Sequence, residues 1–201
     1  MAVYTKINKN DISFINKNFN IEKIIKFKGI KQGIENTNYL LKSKNKNFIL
    51  TIFEKRVSKK EIPFFIKLMD KLNKSKINCP KPLRTKSDSY LIKIKKKTAC
   101  IVSFLEGKDK KKLNIKDCYA VGKITAKMHL VTEKLKLYRK NSMGIKNLNP
   151  LLKSIKFKDN KFSKIDLFLK NNLKDINKYW PKKLPNGIIH GDLFIDNIFF
   201  K

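Results

Sequence analysis

The chain has 201 residues, 41% of them hydrophobic and 32% charged, with a formal net charge of +32 at pH 7. That length supports one large domain or two small lobes with their own cores, while no apolar run of about 18 residues exists to span a membrane and the start, Met1-Ala2-Val3-Tyr4-Thr5-Lys6, lacks the apolar stretch of a secretory signal. The charge invites a nucleic-acid partner, but only Arg56, Arg84 and Arg139 among 48 basic residues carry the bidentate fork that phosphate and base recognition favours, so only non-specific binding that fades with salt is expected.

Taken in chain order, Asn10 or Asp11 opens a short helix over residues 10–19, with Ile12, Phe14 and Ile15 apolar. Strand-like runs follow at 21–27, 38–41 and 48–53. They are separated by Gly29-Ile30-Lys31-Gln32-Gly33 and by a polar turn over 43–47. Ser58-Lys59-Lys60-Glu61 has the capping-box pattern and predicts a helix reaching Lys74, with Ile62, Phe65, Ile66, Met69 and Leu72 on its apolar face. Pro80 and Pro82 end that element. Residues 90–94 and 98–104 predict a hairpin across a lysine turn. Beyond Leu105-Glu106-Gly107 the apolar period changes from two to 3.6, giving helices near 115–134 and 162–179. Trp180-Pro181 closes the last helix. The three cysteines, Cys79, Cys100 and Cys118, fit neither a disulfide framework nor a zinc pattern and are expected to be reduced, mostly buried thiols in a cytoplasmic protein.

The pattern predicts an α+β protein with a two-lobed, protein-kinase-like layout. Residues 1–104 would form a β-rich, nucleotide-binding N-lobe, and 105–201 a helical C-lobe that is incomplete.

The strongest chemical motif is His190-Gly191-Asp192-Leu193-Phe194-Ile195-Asp196-Asn197, followed by Ile198-Phe199-Phe200. A hydroxyl attacking the γ-phosphate of ATP needs a carboxylate to orient it and take its proton, and an Asn across the loop to hold Mg²⁺. Asp192 and Asn197 stand at that spacing, before a short apolar strand. His-Gly-Asp alone also forms ordinary tight turns; the Asn and the strand favour phosphotransfer. A second metal-binding carboxylate is expected on the following strand, and Lys201 comes before it, so the chain is expected to be a fragment or a broken kinase.

Other residues join this motif with less specificity. Gly29 and Gly33 would let backbone N–H groups approach phosphates, with Asn36 beside them, although Asn36 and Asn38 can equally cap the turn. The strand Phe48-Ile49-Leu50-Thr51-Ile52-Phe53-Glu54-Lys55 carries Thr51 where kinases place a phosphate-binding Lys. Alternation puts Thr51, Phe53 and Lys55 on one face; Lys55 is placed for phosphate or is a solvated strand-end lysine, with Glu61 as a possible partner. Phe104-Leu105-Glu106-Gly107 falls at the lobe junction, where adenine is held through backbone groups in an apolar cleft. His129, on the stripe of Ala126 and Leu130, is expected to be a core histidine, and His190 to brace the loop.

Several strings beyond the loop are more particular: Val3-Tyr4-Thr5, Phe27-Lys28-Gly29-Ile30, Glu35-Asn36-Thr37-Asn38-Tyr39-Leu40-Leu41, Glu54-Lys55-Arg56, Pro63-Phe64-Phe65, Cys79-Pro80-Lys81-Pro82 and Phe104-Leu105-Glu106-Gly107. Together with the segment from His190 to Phe200, they make the chain resemble bacterial homoserine kinases of the aminoglycoside-phosphotransferase fold. The resemblance implies ATP-dependent phosphorylation of the L-homoserine hydroxyl in threonine biosynthesis, with ATP and Mg²⁺ as cofactors. It implies Asp192 as base, Asn197 as metal ligand, Gly29–Gly33 over the phosphates and Phe104–Glu106 at adenine. A small zwitterionic substrate wants a cation for its carboxylate, and Arg139 is one candidate. Thr51 at the usual Lys position is normal for that family. Three other expectations compete: a kinase for choline, ethanolamine or an aminoglycoside; a basic non-enzymatic binding protein; and a catalytically dead chain with exposed apolar surface.

Overall fold

The computed structural model describes all residues except 1–2, 34, 56–57, 143, 156–162 and 182, so Arg56 lies outside the described residues. The chain divides into two compact units, one of residues 1–137 with 187–201 and one of residues 138–186.

The first unit is built on a five-stranded antiparallel sheet of β1 (Lys26–Gly29), β2 (Thr37–Lys42), β3 (Asn47–Ile52), β4 (Ile92–Ile94) and β5 (Lys97–Ser103), in the order β1-β2-β3-β5-β4. Strand alternation sends Tyr39, Leu41, Phe48, Leu50 and Ile52 to one face. There they pack on Ile12, Ile15 and Phe19 around α1 (Lys9–Asn18). The opposite face carries Ile49, Phe53, Cys100 and Val102 against Ile62, Ile66 and Met69 of α2 (Ile62–Lys74). Thr51 lies on this second face, between Asn38 on β2 and Cys100 on β5 in register. Burial pushes the Cys100 thiol up to about 12 and the half-buried Cys79 thiol up to about 11, so both are protonated at neutral pH. Cys118 is exposed.

Local chemistry moves several boundaries from their expected places. The first helix starts one residue earlier, at Lys9, because Asn8, not Asn10 or Asp11, is its N-cap; Asp11 closes the capping box from N3. The strand expected at 21–27 begins only at Lys26. Asn16 of α1 explains the delay, since its amide accepts from the Ile24 N–H and donates to the Ile24 carbonyl, taking both groups from the ladder. The Ser58–Glu61 capping box does not form. Glu61 is itself the N-cap of α2, without a side-chain cap bond, and its N–H donates to the Ser58 carbonyl in a tight turn. Pro63 in the first turn supplies a pre-set φ and has no N–H to leave orphaned.

The remaining elements are helical. α3 (Ile115–Glu133) is capped by Asn114 in a capping box with Asp117. The Lys110 ammonium and the Asn114 N–H, outweighing the small cost of burial, hold the Asp117 carboxyl below its ordinary range. His129 is exposed rather than in the core. The stripe through Ala126 and Leu130 is itself open to solvent, so the ring has no interior to enter. In the second unit α4 (Ile145–Ser154) pairs with α5 (Ser163–Tyr179). Sequence periodicity missed α4, in which Pro150 interrupts the pattern. No helix among the described residues is long and apolar enough to cross a membrane.

Candidate active site

The His190–Asn197 segment folds on itself through one side chain. Asn197 Nδ2 donates both to the Asp192 carbonyl and to Asp192 Oδ2, each at 2.9 Å. A carboxylate and an amide five residues apart are thereby held face to face. Gly191, at φ +76, supplies the left-handed turn that swings Asp192 out, where a side chain would be strained. The Asp192 N–H donates to His190 Nδ1 at 3.3 Å, so His190 braces the loop from the other side. A 3₁₀ turn over Ile195–Asn197, closed by the Asn197 N–H on the Phe194 carbonyl, sets the amide's direction.

The loop is tied to the segment after β5. Phe200 and Lys108 exchange both backbone hydrogen bonds, each 2.9 Å long, in an antiparallel bridge. Gly107 makes that approach possible: its φ is +143, and a Cβ there would stand 3.0 Å from the Phe200 carbonyl oxygen and 3.1 Å from Phe199 Cβ. Lys110 lies over the Phe200 ring and reaches the Asp117 carboxylate at 2.6 Å. The buried Thr132 hydroxyl of α3 donates to the Ile188 carbonyl upstream of the loop. Helix α3, the post-β5 segment and the loop are thus linked within one unit. The strand expected at 198–200 is reduced to this single bridge.

The residues expected near the nucleotide and the substrate lie at several separate positions. Phe104 and Glu106 lie just before Gly107, both with exposed side chains, in the extended link between sheet and loop. Gly29 ends β1, and the direction its Cβ would take meets Val3 Cγ2 at 2.9 Å, so its missing side chain serves packing of the N-terminal segment. Gly33 has φ +88 with open space about it. The Asn36 side chain accepts from the Glu54 N–H at 3.4 Å. Lys55 is exposed and makes no ion pair among the described residues. Arg139 belongs to the second unit and is exposed.

Reasoning from the sequence missed a polar cluster that joins three of the particular strings. Glu54 Oε1 accepts from the hydroxyls of Thr5 at 2.6 Å and Thr37 at 2.7 Å, and Oε2 is bonded by the Lys97 ammonium. Thr37 Oγ1 also accepts from the N–H groups of Tyr4 and Thr5. Burial works to raise the Glu54 pKa, but Lys97 and the two threonines outweigh it and hold the carboxyl below its ordinary range. The cluster pins the exit of the 30–36 loop to the end of β3. No motif pattern signals it, since its members lie up to 92 residues apart.

For Mg²⁺ the fit rests on the amide. Because Asn197 Nδ2 is spent on Asp192, its Oδ1 is turned away and has no partner among the described residues. A hard oxygen of this kind suits Mg²⁺, which keeps several waters and takes its other ligands from phosphate. No group of three His, Cys, Asp or Glu side chains able to hold a metal occurs among the described residues.

Residues 26–201 match the sequence model of the phosphotransferase enzyme family. Along its whole length the chain is 36% identical to a homoserine kinase of Methylocella silvestris, 37% to one of Rhizobium etli and 38% to one of Allorhizobium ampelinum. It spans 63% of the length of each. A spectinomycin phosphotransferase solved with ADP and spectinomycin superposes with a TM-score of 0.64 at 14% identity, over 98% of this chain and 66% of that one. A microcompartment-associated aminopropanol kinase gives 0.71 at 13% identity, over 94% and 63%. These structures share the fold, an antiparallel sheet followed by helices, that the α+β expectation described.

Proposed function

We propose, for a chain that belongs to the phosphotransferase enzyme family, the ATP-dependent phosphorylation of the side-chain hydroxyl of L-homoserine, giving O-phospho-L-homoserine and ADP. The observation that carries this reading is the Asp192–Asn197 clamp, in which one amide fixes the carboxylate and keeps its own oxygen available. Similarity to homoserine kinases over the full length of the chain supports the choice of acceptor.

In this reading Asp192 orients the acceptor hydroxyl and takes its proton as the phosphorus–oxygen bond forms. Asn197 Oδ1 holds Mg²⁺, whose charge offsets that of the phosphates when it is bound. Residues 1–104 form the nucleotide-binding lobe, with the backbone of residues 104–106 at adenine and Gly29, Gly33, Asn36 and Lys55 toward the phosphates. Arg139 is assigned to the substrate carboxylate on charge alone.

A panel of acceptors tests the reading. ADP release by the chain should be fastest with L-homoserine, and Asp192→Asn should lower turnover by about a thousandfold or more, within the range general-base catalysis supplies. Preference for choline, ethanolamine or an aminoglycoside would replace the acceptor. Turnover within tenfold of the parent in Asp192→Asn would remove the base assignment.

A further inference from the structure

Thr51 stands on the face of β3 that α2 covers, which is the face from which a kinase strand lysine reaches the α- and β-phosphates. Threonine brings no charge to that position. Around it that face is apolar, with Ile49, Phe53, Cys100 and Val102 as neighbours. One polar pair interrupts it: the Thr51 hydroxyl donates to Asn38 Oδ1 at 2.8 Å, across the β2–β3 register, and both residues are half-buried.

The direction of that bond decides what Asn38 has left to offer. Its carboxamide oxygen is committed to Thr51, so Nδ2 keeps two N–H donors without a partner among the described residues. The backbone on either side is fixed. Ile30 N–H donates to the Asn38 carbonyl across the base of the 30–36 loop. Thr37, on the opposite face, is held by Glu54 and by the Tyr4 and Thr5 N–H groups. A half-buried donor pair, pre-oriented at the root of a phosphate-covering loop, suits an anionic oxygen.

We propose that Asn38 is a phosphate-binding residue: its Nδ2 donates to an α- or β-phosphate oxygen of the nucleotide, and Thr51 acts as the positioning residue that fixes the amide's orientation. A neutral amide thus supplies by hydrogen bonding what a strand lysine supplies by charge. This rests on the nucleotide-dependent reading above. It adds a residue that reading does not use, and it accounts for threonine at position 51.

The test is calorimetric binding of ADP and of adenosine to the whole chain in EDTA, so that nothing depends on metal held by Asn197. Asn38→Asp keeps the shape but puts a carboxylate where the donors were. It should weaken ADP at least tenfold and leave adenosine within twofold. Thr51→Val, which removes only the hydroxyl, should weaken ADP about threefold to fivefold, again sparing adenosine. ADP affinity within twofold of the parent in Asn38→Asp overturns the proposal while the kinase reading stands, as does an equal loss for ADP and adenosine in both variants. A folded parent chain that binds neither ligand overturns the nucleotide reading itself, and this proposal with it.

Discussion

The sheet of the first unit and the helices that follow it are built on opposite terms. Fourteen buried residues, from Ile7 to Ile101, form one continuous cluster under the sheet, and a second cluster with α2 covers its other face. By contrast α3 buries only Asp117 and Thr132, α4 buries nothing, and Leu173 is the buried hydrophobic residue of α5 among the described residues. Large apolar side chains stand open on these helices, among them Ile115, Tyr119, Leu130, Leu167 and Phe168. The two regions are therefore held differently: the sheet by its own interior, the His190–Asn197 loop by hydrogen bonds, one amide and one backbone bridge.

The widest gap should appear in truncations of equal size. Leu50, fully buried in the middle of β3, should cost about 3–4 kcal/mol as Leu50→Ala, since transfer and cavity terms add in a packed core. Leu167→Ala on α5, where the side chain is 61% exposed, should stay within about 0.5 kcal/mol. Urea unfolding of both variants measures the difference. Equal costs would mean that the two regions do not differ in the way their burial indicates.

A smaller effect is expected where the two kinds of construction meet. Gly107→Ala must accommodate a Cβ about 3 Å from the Phe200 carbonyl and a φ of +143 that L side chains rarely adopt. Strain of this type costs on the order of 1–3 kcal/mol, and it falls on the Lys108–Phe200 bridge rather than on the core. Hydrogen exchange should show the Phe200 and Lys108 amides losing protection while those of β3 keep theirs. Uniform loss across the sheet would tie the bridge to global stability instead.

Legibility in the sequence followed the same division. Alternation located β2, β3 and β5 to within a residue or two, because one side of each strand had to be apolar. The period of 3.6 located α2, α3 and α5, but α4 was hidden by Pro150 and by the scarcity of buried positions along it. The spacing of Asp192 and Asn197 was legible because phosphotransfer chemistry demands residue types at fixed intervals, and the structure joins the two side chains by a 2.9 Å hydrogen bond; the catalytic roles proposed for them rest on that chemistry. What spacing does not encode was missed: Asn16 taking the Ile24 backbone from β1, and Glu54 gathering Thr5, Thr37 and Lys97. Those contacts come from long-range closure of the chain, on which local pattern is silent.

The Glu54 cluster also gives the smallest of these effects, and one that pH can resolve. Its folded pKa is depressed: burial opposes ionisation, but bonds from Lys97, Thr5 and Thr37 more than offset it. A group with a depressed folded pKa adds stability that is fully present above its unfolded pKa of about 4.3, and loses it as pH falls through the lower folded value. Glu54→Gln should therefore cost about 1–2 kcal/mol at pH 7, the difference between hydrogen bonds to a charged acceptor and those the neutral amide retains. It should cost progressively less as the solution is acidified below about pH 4, where the parent carboxylate takes up its proton and the difference closes. Asp166→Asn makes the matching change on the helical side, where the Lys170 pair is largely exposed, and its effect at pH 7 should be within about 0.5 kcal/mol. If Glu54→Gln were instead equally destabilising at pH 7 and pH 3, the cluster would act through shape and neutral hydrogen bonds. The charge that closes the open end of the sheet would then contribute nothing.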